Sequence, residues 1–295
     1  YTKGGDEPSQ WGGRLAPELG LEGKVDSHVF AELLAGRVEG QQLGRHRGNG
    51  EIQHHPGWDF AVNAPKSVSI MALVAGDVRI IVAHERAVTA ALSYLEEHAS
   101  LRRREIIHET TGRLLFARFT EHASRDLDPH LHTHVVVLNM TNRDGGGPMA
   151  SLETRAMFAE QMLAGQVYRN ELARDLREQG FEIEFDPRRG LFEIAGVPKD
   201  FIRDTSQRSQ KIDAHAQEHG LAGQAARRAS FYETRGAKVK VGLGDLKEQW
   251  AERAKPYVKD LADLGSRAAE RERVGLQPDP MASRRAALFG IRQAE

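Results

Sequence analysis

The sequence predicts an α+β fold, a mostly antiparallel sheet backed by helices with a smaller helical, basic region after it. Three observations predict it. Strand signals recur over residues 57–64, 114–119 and 130–138, and a short polar connection joins the last two as antiparallel neighbours. Apolar residues recur at helical spacing over 26–34, 80–98 and 152–179. Strand signals stop near Phe201, where the chain turns polar and locally basic.

A chain of 295 residues is long enough for a sizeable core and one or two domains. Its 41 Lys and Arg balance 42 Asp and Glu, so average charge gives no argument for nucleic acid and any such argument rests on local patches. The absence of cysteine excludes a disulfide scaffold, a thiolate metal site and a cysteine nucleophile, and it fits a reducing compartment. No apolar run approaches the ~20 residues that span a bilayer, and no signal peptide is visible, so the expectation is a cytoplasmic protein that does not engage a membrane. The chain opens at Tyr1-Thr2-Lys3 without an initiator methionine, and a preceding segment is expected.

In chain order, residues 1–24 are rich in Gly, Pro and short polar residues, with Trp11 and Leu15 as anchors. Asp26 or Ser27 caps a helix over 26–34. Residues 36–56, rich in Gly and His, read as a mobile loop. Strand 57–64 places Phe60 and Val62 on one face and Asp59 and Ala61 on the other, and Pro65 stops it. Lys66 to Ser69 lead into a helical stretch over 70–74, and Asp77 precedes the amphipathic helix 80–98. Arg102 to Arg104 read as a solvated basic turn. Gly145 to Pro148 form a turn, helix 152–179 carries Tyr168, Leu172 and Leu176 on one stripe and ends at Gly180, and 181–185 with 191–194 read as a hairpin. The expected domains are a palm over 1–200, a helical basic region over 201–265 and a helical or disordered tail over 266–295.

Chemistry concentrates on the stretch His130-Leu131-His132-Thr133-His134. Strand side chains alternate, so three histidines at alternate positions point one way, and converging imidazoles are the commonest protein route to a divalent metal. A surface strand of solvated histidines is the ordinary alternative. Glu121-His122, at the end of the preceding strand, is the natural place for a third ligand across the hairpin. Asp59 could fix the tautomer of a ligand histidine, and Lys66 near a helix N-terminus suits a phosphate.

Gly57-Trp58-Asp59-Phe60-Ala61-Val62-Asn63-Ala64-Pro65-Lys66-Ser67-Val68-Ser69 resembles the signature strand-turn of the MobF-type conjugative relaxases, and Ser124-Arg125 with Asp128-Pro129-His130-Leu131-His132-Thr133-His134 resembles their histidine motif. Trp11, Leu19-Gly20-Leu21 and Val25-Asp26 are similar to the family's N-terminal region, and Thr234-Arg235-Gly236-Ala237-Lys238 with Leu246 and Trp250 to its C-terminal part. The resemblance covers most of residues 1–255, with motifs in order. It implies an HUH-endonuclease palm with a helical fingers region that embraces DNA. It also implies a divalent ion, Mg or Mn, with Zn or Ni taken in vitro. The implied reaction is reversible nicking of single-stranded DNA at a conjugative transfer origin through a 5′-phosphotyrosyl intermediate. The implied partners are single-stranded DNA and the hairpin of that origin, accessory relaxosome proteins and a coupling protein.

Carried over by position, Asp59 is the acidic residue that orients a ligand histidine or accepts the tyrosine proton. Lys66 and Arg125 are basic positions near the phosphate, and Arg235, Lys238 and Lys240 are DNA-binding positions in the fingers. Tyr1 matches one of the family's second tyrosine pair, and the first pair is expected upstream of it. His132 and His134 are the expected metal ligands and His130 a neighbour. The family's first histidine falls on Glu121, with His122 one residue late. A one-residue step flips a strand side chain to the other face, so register favours Glu121 as third ligand while residue type favours His122, and a bulge would reconcile them. The expectation leans to His122. A DNA-binding module without cleavage, and a small-molecule metallohydrolase built on the histidine strand, are the competing readings.

Overall fold

The computed structural model describes residues 8–275 apart from 49, 103–107, 144–145, 221–222, 237–238 and 240. Tyr1, Lys238, Lys240 and most of the expected tail lie outside the described residues.

The chain begins with strand β1 (Ser9–Gly12), a short helix α1 (Leu15–Glu18) and α2 (Ser27–Leu34). Asp26 caps α2, its carboxylate accepting from the amides of His28 and Val29 at 2.9 Å. The expected mobile loop instead folds into two small ribbons, β2 (Arg37–Val38) with β3 (Gln41–Gln42), and β4 (Arg45–His46) with β5 (Ile52–Gln53). Between β2 and β3, Glu39 and Gly40 both take positive φ, 46° and 74°, the twist that a two-residue hairpin turn requires.

Strand β6 (Gly57–Asn63) leads through Pro65 into α3 (Lys66–Leu73), which starts four residues earlier than its apolar run, and then into α4 (Val78–Glu97). Short strands β7 (Ser100–Arg102) and β8 (His108–Thr110) precede the long hairpin of β9 (Phe116–Ala123) and β10 (Pro129–Leu138). The expected single helix over 152–179 is divided into β11 (Leu152–Glu153), α5 (Arg155–Ala159) and α6 (Gln161–Glu178). Hairpin β12 (Ile183–Asp186) and β13 (Leu191–Ile194) follows, then helices α7 (Lys199–Asp204), α8 (Gln207–Glu218), α9 (Gly223–Glu233), α10 (Leu243–Ala254) and α11 (Val258–Val274).

The main sheet is antiparallel, in the order β1-β9-β10-β6. Its two faces are covered differently. Phe60, Leu131, Val135 and Val137 pack with α3, α4 and α6 in the larger core, and Trp11, Phe30, Phe119 and Val136 pack with α1 and α2 in the smaller one. Trp11 and Leu15 are the anchors their apolar character predicts, both buried.

The C-terminal helices share the larger core. Leu246, Trp250 and Ala254 of α10 and Leu261, Leu264 and Ala268 of α11 are buried with the palm residues. Helix α11 passes through the expected boundary at 265 and ends at Gly275 in the left-handed conformation. Gly180, at φ +85°, lies so close to α11 that a Cβ would sit 2.0 Å from the carbonyl oxygen of Ala268. Among the described residues no helix is long and apolar enough to cross a membrane.

Candidate metal centre

Strand pairing builds the site. His132 stands opposite Glu121 of β9 on one side and Asn63 of β6 on the other, while His134 stands opposite Phe119 and Ala61. All share the face covered by α1 and α2, together with Asp59. Ligand atoms of Glu121, His132 and His134 all lie within 4.8 Å of one another, and the Glu121 carboxylate is 3.7 Å from Nε2 of His132.

Each histidine is held by its other nitrogen. His132 Nδ1 lies 2.9 Å from the carbonyl oxygen of His130, which can only accept, so Nδ1 carries the proton and Nε2 keeps its lone pair. His134 Nδ1 lies 3.0 and 3.1 Å from the two oxygens of Asp59, with the same consequence. Glu121 and His132 are buried and His134 is half-buried. Two imidazole nitrogens and a carboxylate are a donor set that fits a divalent ion and leaves coordination positions for other ligands.

The structure does not bring His122 into this cluster. The ladder between β9 and β10 shifts register between Pro129 and His132, so the extra residue lies in β10 and Glu121 stays opposite His132. His122 therefore turns to the opposite face, the one packed against α4, with Arg118 and Thr120, where burial first, then Lys247, lowers its pKa against the opposing pull of Glu121. His130 stacks on His132 at a centroid distance of 4.6 Å and bonds to Asn63 Oδ1 at 3.1 Å. Burial first, then the neighbouring histidines and Lys66, lowers its pKa well below the usual value.

Lys66 and Arg125 are spent on backbone carbonyls. Lys66 Nζ donates to the carbonyl of Pro129 at 2.8 Å, and burial, opposed by Asp128 and Glu193, lowers its pKa to about 8. The N-terminus of α3 already holds an anion of the protein's own: the Glu193 carboxylate of β13 accepts from Ser67 N at 2.8 Å. Arg125 Nη1 donates to the carbonyl of Gly236 at 2.9 Å. Arg235 is exposed, its guanidinium 5.8 Å from the ring centre of Phe231.

Two groups were given no role from the sequence. Beneath the site, His84 of α4 is fully buried, with Nδ1 2.7 Å from the Tyr168 hydroxyl and Nε2 2.9 Å from Thr133 Oγ1. Thr133 in turn lies 3.1 Å from Thr120 Oγ1. At the hairpin tip, Asp128 is fully buried and accepts from Gln207 and Arg253. Asp128 was quoted in the sequence only as a member of the histidine motif, and its pairing with Gln207 and Arg253 joins segments that no local pattern links.

Known proteins place this architecture. The family profile described as TrwC relaxase matches residues 1–257. The Multifunctional conjugation protein TraI of Escherichia coli is 36% identical over 288 residues, covering 94% of this chain and 16% of that protein. TraI of Escherichia coli strain K12 is 35% identical over 278 residues, covering 90% and 16%. The chain thus spans 16% of the length of these curated relatives. Among solved structures, the metal-bound conjugative relaxase TrwC in complex with oriT DNA has a TM-score of 0.78 at 36% identity, covering 87% of this chain and 92% of that one. TrwC complexed with a 27-mer DNA comprising the recognition hairpin and the cleavage site has a TM-score of 0.77 at 36% identity, covering 84% and 91%. With the TrwC relaxase profile matching residues 1–257 and the fold shared with solved TrwC at a TM-score of 0.78 and 36% identity, the chain belongs to the TrwC relaxase family.

Proposed function

We propose that this chain is a relaxase module, a DNA strand transferase that nicks single-stranded DNA at a conjugative transfer origin and rejoins it through a 5′-phosphotyrosyl intermediate. The observation that carries the reading is the convergence of Glu121, His132 and His134 on one face of a relaxase-family sheet. In the transfer, a tyrosine oxygen bonds to the scissile phosphorus, the bond from phosphorus to the 3′-oxygen breaks, and the 3′-hydroxyl leaves with a proton.

The residues of this chain prepare that event. Glu121, His132 and His134 would hold the divalent ion, which when bound draws charge from a phosphate oxygen. Mg or Mn is the ion proposed, on the family resemblance, with Zn or Ni taken in vitro. Asp59 orients His134, both of its oxygens being engaged by that imidazole. Arg235, Lys238 and Lys240 are assigned to DNA, which is taken as single strand and origin hairpin. Tyr1 is assigned to the second tyrosine pair. We place the activity in the cytoplasm, with accessory relaxosome proteins and a coupling protein as partners.

The test is a labelled single-stranded origin oligonucleotide incubated with Mn²⁺ and run on a denaturing gel. An SDS-stable protein–DNA adduct that chelation prevents and His132→Ala abolishes is the expected result. Tight, salt-sensitive binding without an adduct would reduce the chain to a DNA-binding module, a reading that Glu121 in a histidine position favours. No binding at all would leave the small-molecule hydrolase.

A further inference from the structure

We propose that Asp128 is a positioning residue that makes the geometry of the metal pocket depend on the docking of helices α8 and α10 against the tip of the β9–β10 hairpin. The inference rests on the metal site proposed above.

Sheet pairing alone does not fix His132 from the tip side. Regular pairing of β9 with β10 is interrupted between Pro129 and His132, so the ladder that aligns His132 with Glu121 is not continuous with the turn. Other groups set the path of those residues. Lys66 holds the carbonyl of Pro129, Ser69 Oγ accepts from Leu131 N at 3.0 Å, and Ala64 N donates to the carbonyl of Leu131 at 3.0 Å. The carbonyl of His130 in turn accepts from His132 Nδ1. A shift of the tip therefore reaches the imidazole of His132 through the backbone it is bonded to.

The C-terminal helices grip the tip at successive residues. The carbonyl of Leu127 accepts from the buried indole of Trp250 in α10 at 2.7 Å. Leu127 has φ +62°, a left-handed conformation that a branched side chain rarely adopts and that this grip helps maintain. Asp128 accepts from the backbone and side chain of Gln207, at the start of α8, at 2.7 and 3.1 Å. It also accepts from Arg253 Nη1 of α10 at 3.0 Å. Asp126 pairs with Lys211 of α8, and Arg125 bonds to Gly236.

The members are unequal. The Asp126–Lys211 pair is solvent-facing on the lysine side, 56% exposed, and contributes little. The Asp128 carboxylate is 1% exposed and satisfied by α8 and α10, so removing its charge leaves Arg253 and the amide of Gln207 facing a weaker acceptor in a dry site. Asp128 lies four positions before His132, just ahead of β10, and its carboxylate bonds to Gln207 and Arg253 rather than to the metal ligands.

The experiment is calorimetric titration of Mn²⁺ into the folded protein and its variants, with melting temperatures measured alongside. Asp128→Asn should weaken Mn²⁺ binding roughly tenfold, the low end of what outer partners of metal ligands contribute. Trp250→Phe should weaken it less, and Lys211→Met should leave it as in wild type. Leu95→Ala, which opens the core beside the start of β9 at the end of the hairpin away from the tip, serves as the stability control: it should lower the melting temperature and leave Mn²⁺ affinity unchanged. If Asp128→Asn does not fold, Arg253→Met and Trp250→Phe carry the test. Wild-type affinity in Asp128→Asn, Arg253→Met and Trp250→Phe, or an equal loss in Leu95→Ala, overturns the proposal while leaving the metal site intact. A wild-type protein whose Mn²⁺ binding is absent, or indifferent to His132→Ala, overturns the metal site itself and this inference with it.

Discussion

Two histidine environments sit on opposite faces of the same strand, and they are chemically opposite. On the face packed against α4 and α6, His84 meets Thr133 and Tyr168, and both of its nitrogens are used by protein hydroxyls. Burial first, then the neighbouring His132, His122 and Arg118, pushes its pKa down to about 3, so it stays neutral across the physiological range. On the other face, His132 and His134 each give one nitrogen to the protein and keep the other facing Glu121 and each other. The imidazole is the same group in both places. What suits an imidazole to a metal is an acceptor on the far nitrogen, a carbonyl for His132 and a carboxylate for His134, and a carboxylate across the strand pair. What makes a core residue is a hydroxyl at each end.

The sharpest way to break this contrast is to remove a ligand. His132→Ala should lower Mn²⁺ affinity by more than about a hundredfold, beyond the range seen for outer partners, while thermal stability changes little; calorimetry with a parallel melt reads both. The converse substitution tests the other face. His84→Phe should cost about 2 kcal/mol or more in urea unfolding, because it strands the buried Tyr168 hydroxyl, with a much smaller effect on Mn²⁺ affinity.

The two faces also differ in their response to acid. His84 has a folded pKa below its unfolded value, so the unfolded chain binds more protons between pH 6.5 and about 3. Stability should therefore fall with acidification across that window, by up to about 1.4 kcal/mol per pH unit from this group alone. His122 and His130, also lowered, act in the same direction. His84→Phe should flatten the slope, and a slope identical to wild type would remove His84 from the account.

Smaller effects refine the ligand face. Asp59→Asn should cost roughly tenfold in Mn²⁺ affinity by weakening the bond that fixes His134. His122→Ala should leave Mn²⁺ affinity at the wild-type value, since its side chain faces α4 and not the cluster.

The histidine strand, its antiparallel partner and the placement of Asp59 were legible in the sequence because they depend on alternation and on a short hairpin, both local. The choice between Glu121 and His122 was not. Counting fixes which residues oppose each other only if the ladder is regular, and the sequence does not say which strand of a pair carries an irregularity. Lys66 shows a second limit. A lysine at the first turn of a helix suggests a phosphate, yet the carboxylate that bonds at that helix end comes from Glu193, 126 residues away from Ser67. Likewise the docking of α10 and α11 into the palm core depends on Trp250, Leu264 and the close approach at Gly180, contacts between segments that no local pattern links.

The central claim is that Glu121, not His122, completes the metal site with His132 and His134. A crystal structure of the protein soaked in Mn²⁺, with anomalous scattering collected to locate the ion, tests it most directly. The account predicts one ion bonded to the Glu121 carboxylate and to Nε2 of His132 and His134, with His134 Nδ1 still bonded to Asp59. An ion coordinated by His122, or by either histidine through Nδ1, would contradict it.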